Sequence, residues 1–399
     1  MLNFLQKFLF ERINMIYKDV LYGEWELPEF LKKISQTKEM ARLRGITQSS
    51  IPNTMNPCGA IPSRFHHGLG VAYLATKVSE KNPQISDYAV LLRASALLHD
   101  AGNPPFSHLS EYFLKEMTGM DGESFLAEIL DGGEVEKILA NNGLTVSQVV
   151  KFVTGDDKPL STVLNGSMDI DNLDNVARYA HCSGLRGVKY NGAKIASSFI
   201  FADGQWLLKN ESRGEVKKWQ DTRGRVYGEI YNKRYFSAAM MLHRAVELAF
   251  FAGDLTEDFF FLDDMTAVYC LAITCNPDTK SLVHRLKLWD WYDEVFSLET
   301  SEPSDEIRRY TENWKTRAPA ADFLAETLGM KKGQVCFYAG KGKDKRTVDV
   351  PFISGKPAPD NPAEDKPIHR IKVYIAPECA RLAGEVRKLM SQKIQTPVS

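Results

Sequence analysis

The chain has 399 residues, 44% hydrophobic and 25% charged, a globular composition with enough apolar mass to form one large domain or two. Fifty basic residues stand against 51 acidic ones, so the net charge does not indicate nucleic acid or an anionic membrane as a partner, although a local basic groove is compatible with it. Cys58, Cys182, Cys270, Cys275, Cys336 and Cys379 show no C-x-x-C spacing and read as reduced, mostly buried thiols of a cytoplasmic protein.

In chain order, Met1 to Ile16 alternates apolar residues with Lys7, Glu11 and Arg12. It is too short and too charged for a signal peptide or a membrane anchor, and reads as an amphipathic helix packed on the body or a partner subunit. Leu27 to Arg44 reads as a helix, and the Pro- and Asn-bearing stretch Gln48 to Pro62 as a loop. Helices follow at about Gly68 to Ser79, Ser86 to Leu98, Ser107 to Met117, Glu123 to Leu130, Glu134 to Ala140, Ser147 to Thr154 and Asp169 to Tyr179. Two apolar runs flank Asp203-Gly204 between Ser198 and Lys209, which predicts a hairpin. Helices are again expected at Tyr227 to Ala252, Asp263 to Ile273, Lys280 to Trp291 and Ser304 to Lys315. After Gly329, the segments Val335 to Tyr338, Thr347 to Val350 and Ile371 to Ile375 look like short strands, separated by a charged turn and the polar, Pro-rich Ser354 to Pro367.

The strongest chemical signal is His99-Asp100, which ends the apolar run Ala89 to Leu98 and precedes the helix breakers Gly102, Pro104 and Pro105. An imidazole and a carboxylate at the end of a buried helix must be paired or coordinated, and a divalent cation satisfies both. Two other segments offer further ligands. One is Arg64-Phe65-His66-His67-Gly68-Leu69-Gly70; the other is Asp169-Ile170-Asp171-Asn172-Leu173-Asp174 with Ala177-Arg178. Spacing alone does not separate His67 from His66, and Asp169 competes with Asp171.

The ordered set His67, His99-Asp100 and Asp171 resembles the H…HD…D signature of the HD-domain metal-dependent phosphohydrolases, and the flanking words resemble those of the deoxynucleoside triphosphate (dNTP) triphosphohydrolases. This resemblance covers about the first two thirds of the chain. It implies a mainly α fold with an HD-domain helical body, which we place over residues 1–325 with its metal core at about 40–182; the residue pattern adds a β-hairpin insertion at about 197–210 and a small C-terminal α+β lobe over 326–399.

It also implies one divalent ion held by His67, His99, Asp100 and Asp171. The ion is Mn, Fe, Mg, Ni or Zn, and the absence of any histidine between His108 and His181 favours a single one. Arg64, Gln48, Lys233 and Arg234 are then expected to bind substrate, with Tyr231, His243 and Arg244 on the same helix as the last two. The family pattern places histidines where this chain has Asn103 and Gly122 ahead of Glu123, so His108, Glu111 and Glu123 are left as candidates for proton transfer. Arg178 is expected to pair internally and Asp169 to cap its helix. The implied activity is hydrolysis of a nucleotide, foremost a dNTP to deoxynucleoside and tripolyphosphate. The alternatives are a phosphatase or phosphodiesterase on another phosphate ester, and a nucleotide-binding protein with impaired turnover. The expected partners are a nucleotide or similar small molecule and further copies of the chain, without a membrane.

Overall fold

The computed structural model describes residues 16–56, 61–187, 189–231, 233–342, 352–353 and 367–394. The expected N-terminal amphipathic helix, the strand at 347–350, Cys58 and most of the Pro-rich stretch lie outside these residues.

A hairpin of β1 (Ile16–Asp19) and β2 (Gly23–Glu26) opens the described chain, followed by α1 (Glu29–Ser35) and α2 (Lys38–Leu43). The single helix expected over 27–44 is thus two, because the Thr37 side chain caps a new start by accepting from the Met40 N–H. Next come α3 (Arg64–Lys81), α4 (Ala89–Leu98), α5 (Glu111–Thr118), α6 (Gly122–Leu130), α7 (Glu134–Ala140), α8 (Val146–Val153), α9 (Ile170–Cys182) and α10 (Gly192–Ala196). The Asp203-Gly204 hairpin forms as β3 (Phe199–Ala202) against β4 (Gln205–Leu208), with both turn residues at positive φ as a tight turn requires.

Then follow α11 (Arg213–Ile230), α12 (Lys233–Phe251), α13 (Asp264–Ile273), α14 (Pro277–Lys287), β5 (Asp293–Thr300), α15 (Asp305–Glu312), α16 (Arg317–Thr327), β6 (Val335–Gly342), β7 (Ile368–Ile375) and α17 (Ala383–Ile394). The fold is mainly α, with small antiparallel sheets. β7 is the middle strand of the largest sheet, flanked by β5 and β6. The expected division at 325/326 cuts through this sheet, since β5 lies before it; after a bulge at Val295, partly buried Phe296, Leu298 and Thr300 alternate with exposed Ser297 and Glu299, a two-residue period.

Apolar burial explains a different division. One cluster runs from Leu27 to Val226, joined by Phe352, and packs α4 between α3 and α8. The other joins Phe106, Phe113 and Phe125 to residues from Phe236 to Ile394, including the three-stranded sheet. Among the described residues no helix is long and apolar enough to cross a membrane.

Candidate metal centre and cavity

α3 and α4 pack closely enough that a Cβ on Gly68 would meet the Leu97 carbonyl at 2.8 Å, which brings His67 beside His99. The two Nε2 atoms are 3.3 Å apart and the rings meet edge to face. Asp100 Oδ2 lies 3.7 Å from His67 Nε2 and 3.5 Å from His99 Nε2, and the donors of these three residues all lie within 4.8 Å of one another. Asp171 stands outside that mutually close trio, but its Oδ1 is 2.8 Å from His67 Nε2 and 3.6 Å from His99 Nε2.

Adjacent ligands on an ion with bonds of about 2.1 Å stand roughly 3.0 to 3.4 Å apart; the observed separations of 2.8 to 3.7 Å bracket that range, so shifts of a few tenths of an ångström would fit the four side chains to a divalent cation. The buried Asp100 Oδ2, with no hydrogen-bond partner, independently points to a missing positive group at the same place. The other faces of the ligands are fixed. His99 Nδ1 donates to the Ala96 carbonyl at 2.9 Å, which presents its Nε2 to the site. Asp100 Oδ1 accepts from Arg64 at 2.5 Å and from the Asn103 amide at 2.7 Å.

Behind His67 stands a chain of charges. Its Nδ1 is 2.8 Å from Asp174 Oδ1, Asp174 accepts from Arg178 Nε at 2.8 Å and from the Tyr22 hydroxyl at 3.0 Å, and Arg178 also reaches Asp19 at 2.9 Å. Gly70 makes room for this network, since a Cβ there would sit 2.2 Å from Asp174 Oδ2 and 2.3 Å from Arg178. Burial disfavours a charged His67, yet the hydrogen bonds it donates to Asp171 and Asp174 outweigh it and hold its imidazole up to about 10. For Asp100 and Asp171 burial again opposes the charge. Arg64 foremost at the first, and His67 foremost at the second, pull the carboxyls below the ordinary range.

Arg64 is positioned by a turn. Pro104 and Pro105 lead into Phe106 and Ser107, both in the left-handed region at φ 64° and 54°, and Arg64 Nε donates to Ser107 Oγ at 2.8 Å. This costly conformation is held by Asp264 of α13, which accepts from the Phe106 N–H and the Thr47 N–H, each at 2.8 Å.

The centre opens into a cavity of about 830 Å³. Gln48, Arg64, His67, His99, Asp100, Asp171, His108, Glu111 and Glu123 all line it. Gln48 leaves both side-chain amide atoms buried without a partner. His108 Nδ1 meets Glu111 Oε1 at 2.9 Å, and Glu123 is raised above the ordinary carboxylate range by burial first and then by Asp121 and Glu111.

The expected roles of other residues divide. Arg178 pairs internally and Asp169 caps α9, accepting from the Asn172 N–H at 2.7 Å. Arg234 is exposed and does not reach the wall: α12 presents Tyr235, Phe236, Ala239, Met240 and His243 there, a face set by helical periodicity, and Arg234 lies off it. The Lys233 side chain lies outside the described residues. The sequence reading gave no role to Asp19, Tyr22, Asp174, Asp264 or Arg317. For Asp174 the signal was available, because its i, i+4 spacing to Arg178 places both on one face of α9.

Residues 64–176 match the HD-domain family model. An uncharacterised protein of Methanocaldococcus jannaschii is 33% identical over 291 residues, 70% of this chain and 60% of that one. The deoxynucleoside triphosphate triphosphohydrolase SAMHD1 homolog of Dictyostelium discoideum is 27% identical over 192 residues, 43% of this chain and 37% of that one. The chain thus spans no more than 60% of the length of these relatives. The crystal structure of a phosphohydrolase from Bacteroides thetaiotaomicron superposes with a TM-score of 0.68 at 19% identity, covering 90% of this chain and 99% of that one, a likeness of fold. Residues 64–176 of the chain thus match an HD domain, and around its HD pair the chain resembles the dNTP triphosphohydrolases.

Proposed function

We propose that this protein is a metal-dependent hydrolase of nucleotides, with dNTPs as the first substrate class. The observation that carries the reading is the convergence of His67 Nε2, His99 Nε2 and the unpartnered Asp100 Oδ2 at the wall of a cavity large enough for a nucleotide. His67, His99, Asp100 and Asp171 would hold the ion. Two imidazoles in the set favour Mn, Fe, Ni or Zn over Mg, which prefers oxygen ligands. When bound, the ion supplies Lewis acidity toward a phosphoryl oxygen and an acidified water.

The chain's own groups do the rest. Arg64 neutralises Asp100 and keeps its second oxygen turned to the cavity, while the orphaned Gln48 amide offers a donor and an acceptor to a sugar or base. Glu123, its proton held more tightly than an ordinary carboxyl's, is suited to give a proton to a leaving group. His108 and Glu111 form a hydrogen-bonded pair beside it that is able to relay one.

A second reading is a phosphatase or phosphodiesterase on another phosphate ester. It is favoured by Asn103, whose amide is committed to Asp100, and by Gly122, which carries no side chain where the resembled family keeps a histidine. Purified protein with Mn(II), offered dNTPs, nucleoside monophosphates and cyclic nucleotides, separates the readings. Tripolyphosphate release supports the first, orthophosphate release or ring opening the second, and binding without turnover indicates an impaired enzyme. Assembly into a cytoplasmic homo-oligomer belongs to the same proposal. Met265, Tyr269 and Ile273 form an exposed apolar stripe on α13 that self-association would cover, and sedimentation of wild type against Tyr269→Lys tests it.

A further inference from the structure

Arg317, the first residue of α16, is only 6% exposed and lines the cavity on the wall built by the second apolar cluster. Its guanidinium carbon lies 4.8 Å from the ring centre of Tyr112 and 5.7 Å from that of Tyr338. Among the described residues it makes no ion pair, and its buried Nε has no hydrogen-bond partner. Glu247, a carboxylate that feels its charge, is already paired with Arg244, which also pairs with Asp322, and Lys332 pairs with Asp322 at 2.7 Å. Two cations thus meet two carboxylates, and Arg317 is left over.

A buried guanidinium costs too much to leave unmatched, and ring faces offset only part of that cost. What it lacks is an oxyanion, for which its planar fork is shaped. Beside it His243 has a buried Nε2 without a partner, and burial first, then Arg317 and Arg244, depress its imidazole to about 3, so at neutral pH it adds a hydrogen-bonding group and no charge. We propose that Arg317, with His243, forms a second anion-binding subsite of the cavity that takes a phosphate-type oxyanion of the ligand other than the one at the HD pair. The inference deepens the phosphohydrolase reading by requiring a ligand with more than one anionic group. Its binding step does not depend on turnover.

The test uses the full chain freed of metal with a chelator, with inorganic phosphate, pyrophosphate and tripolyphosphate titrated by calorimetry and followed by thermal shift. Wild type is expected to bind at least one of them, Arg317→Gln at least tenfold more weakly, and Arg317→Lys in between. Asp171→Asn, altered at the candidate metal centre, is expected to retain binding. Affinity that rises with phosphate number and loses that rise in Arg317→Gln identifies the subsite with a polyphosphate tail. Equal loss for orthophosphate, with no rise along the series, overturns the assignment of the subsite to a second anionic group of the same ligand. The proposal is overturned if wild type binds none of the anions, or if Arg317→Gln and Arg317→Lys bind them as wild type does. It is also overturned if 2′-deoxyguanosine, which carries no phosphate, is the only probe whose binding depends on Arg317, because the arginine then reads a base edge. If hydrolysis is absent while Arg317-dependent anion binding persists, the hydrolase reading fails and the subsite stands.

Discussion

The two walls of the cavity handle charge in opposite ways. At the HD pair each charged group has a partner on each side except the one facing the cavity: Asp19, Arg178, Asp174, His67 and Asp171 alternate in sign along an unbroken line, and only Asp100 Oδ2 is left open. Across the cavity Arg317 has aromatic faces and no carboxylate. The first wall is set to hold a cation and the second to receive an anion, so a ligand with phosphates near both fits the electrostatics of each.

The largest effect expected is at the open position. Asp100→Asn removes the charge that a cation needs while keeping the side chain's shape, and should lower hydrolysis on the order of 10³-fold, the several kcal/mol a catalytic metal supplies. Metal analysis of the purified variant checks the cause: a full equivalent of bound ion together with lost activity would separate Asp100 from metal binding. Next, Asp174→Ala takes from Arg178 one of its two carboxylates, leaving Asp19, and unhooks His67 Nδ1 in a fully buried place. It should cost about 3 to 5 kcal/mol in chemical denaturation, as breaking a buried ion network does. A loss below 1 kcal/mol would mean that the line of charges is not needed for the fold.

These two variants also mark what the sequence made legible. An apolar helix ending in His-Asp marks His99 and Asp100, but His67 and Asp171 could be named over their neighbours His66 and Asp169 only through the resemblance to the H…HD…D signature, because the packing that distinguishes them is a contact between helices. The tight hairpin was readable from Asp203-Gly204 for the same kind of local reason. Local patterns fail where the partner is distant. Asp19 meets Arg178 across 159 residues, and Asp264 holds the Phe106 turn across 158, and neither contact has a spacing to betray it. Arg317 carries no motif at all; its meaning lies in the carboxylate that is not there. Arg234 is basic and lies on the pocket helix, but burial selects the aromatic face of that helix for the cavity.

Glu123 tests whether proton transfer belongs to the HD-pair wall. Glu123→Gln keeps size and hydrogen bonding and should lower kcat about 10²-fold with little change in KM if this carboxyl gives the proton. Because its folded pKa is raised, wild-type activity should decline with rising pH as the carboxyl ionises, and the variant should lose that limb. The pH profile decides: an unchanged limb in Glu123→Gln would pass the role to the His108–Glu111 pair.

The smallest effect concerns competition between proton and metal. In the metal-free site His67 lies between Asp171 and Asp174, 2.8 Å from each, and is held protonated up to about 10, well above the ordinary value of 6.5. A histidine stabilised in its charged form contributes fully to folding below about pH 6.5, and that contribution is lost as pH rises through about 10. A cation needs Nε2 without its proton, so loading should release one proton. The apparent metal affinity should then rise by about tenfold per pH unit until the imidazole is already neutral. Thermal melts from pH 6 to 9 are expected to show the metal-free protein weakening as the pH rises and the metal-loaded protein holding or gaining stability. Parallel slopes for the two forms would show that no proton leaves when the metal binds. The charge at His67 would then not be what the metal displaces, and the contrast between the two walls would rest on Arg317 alone.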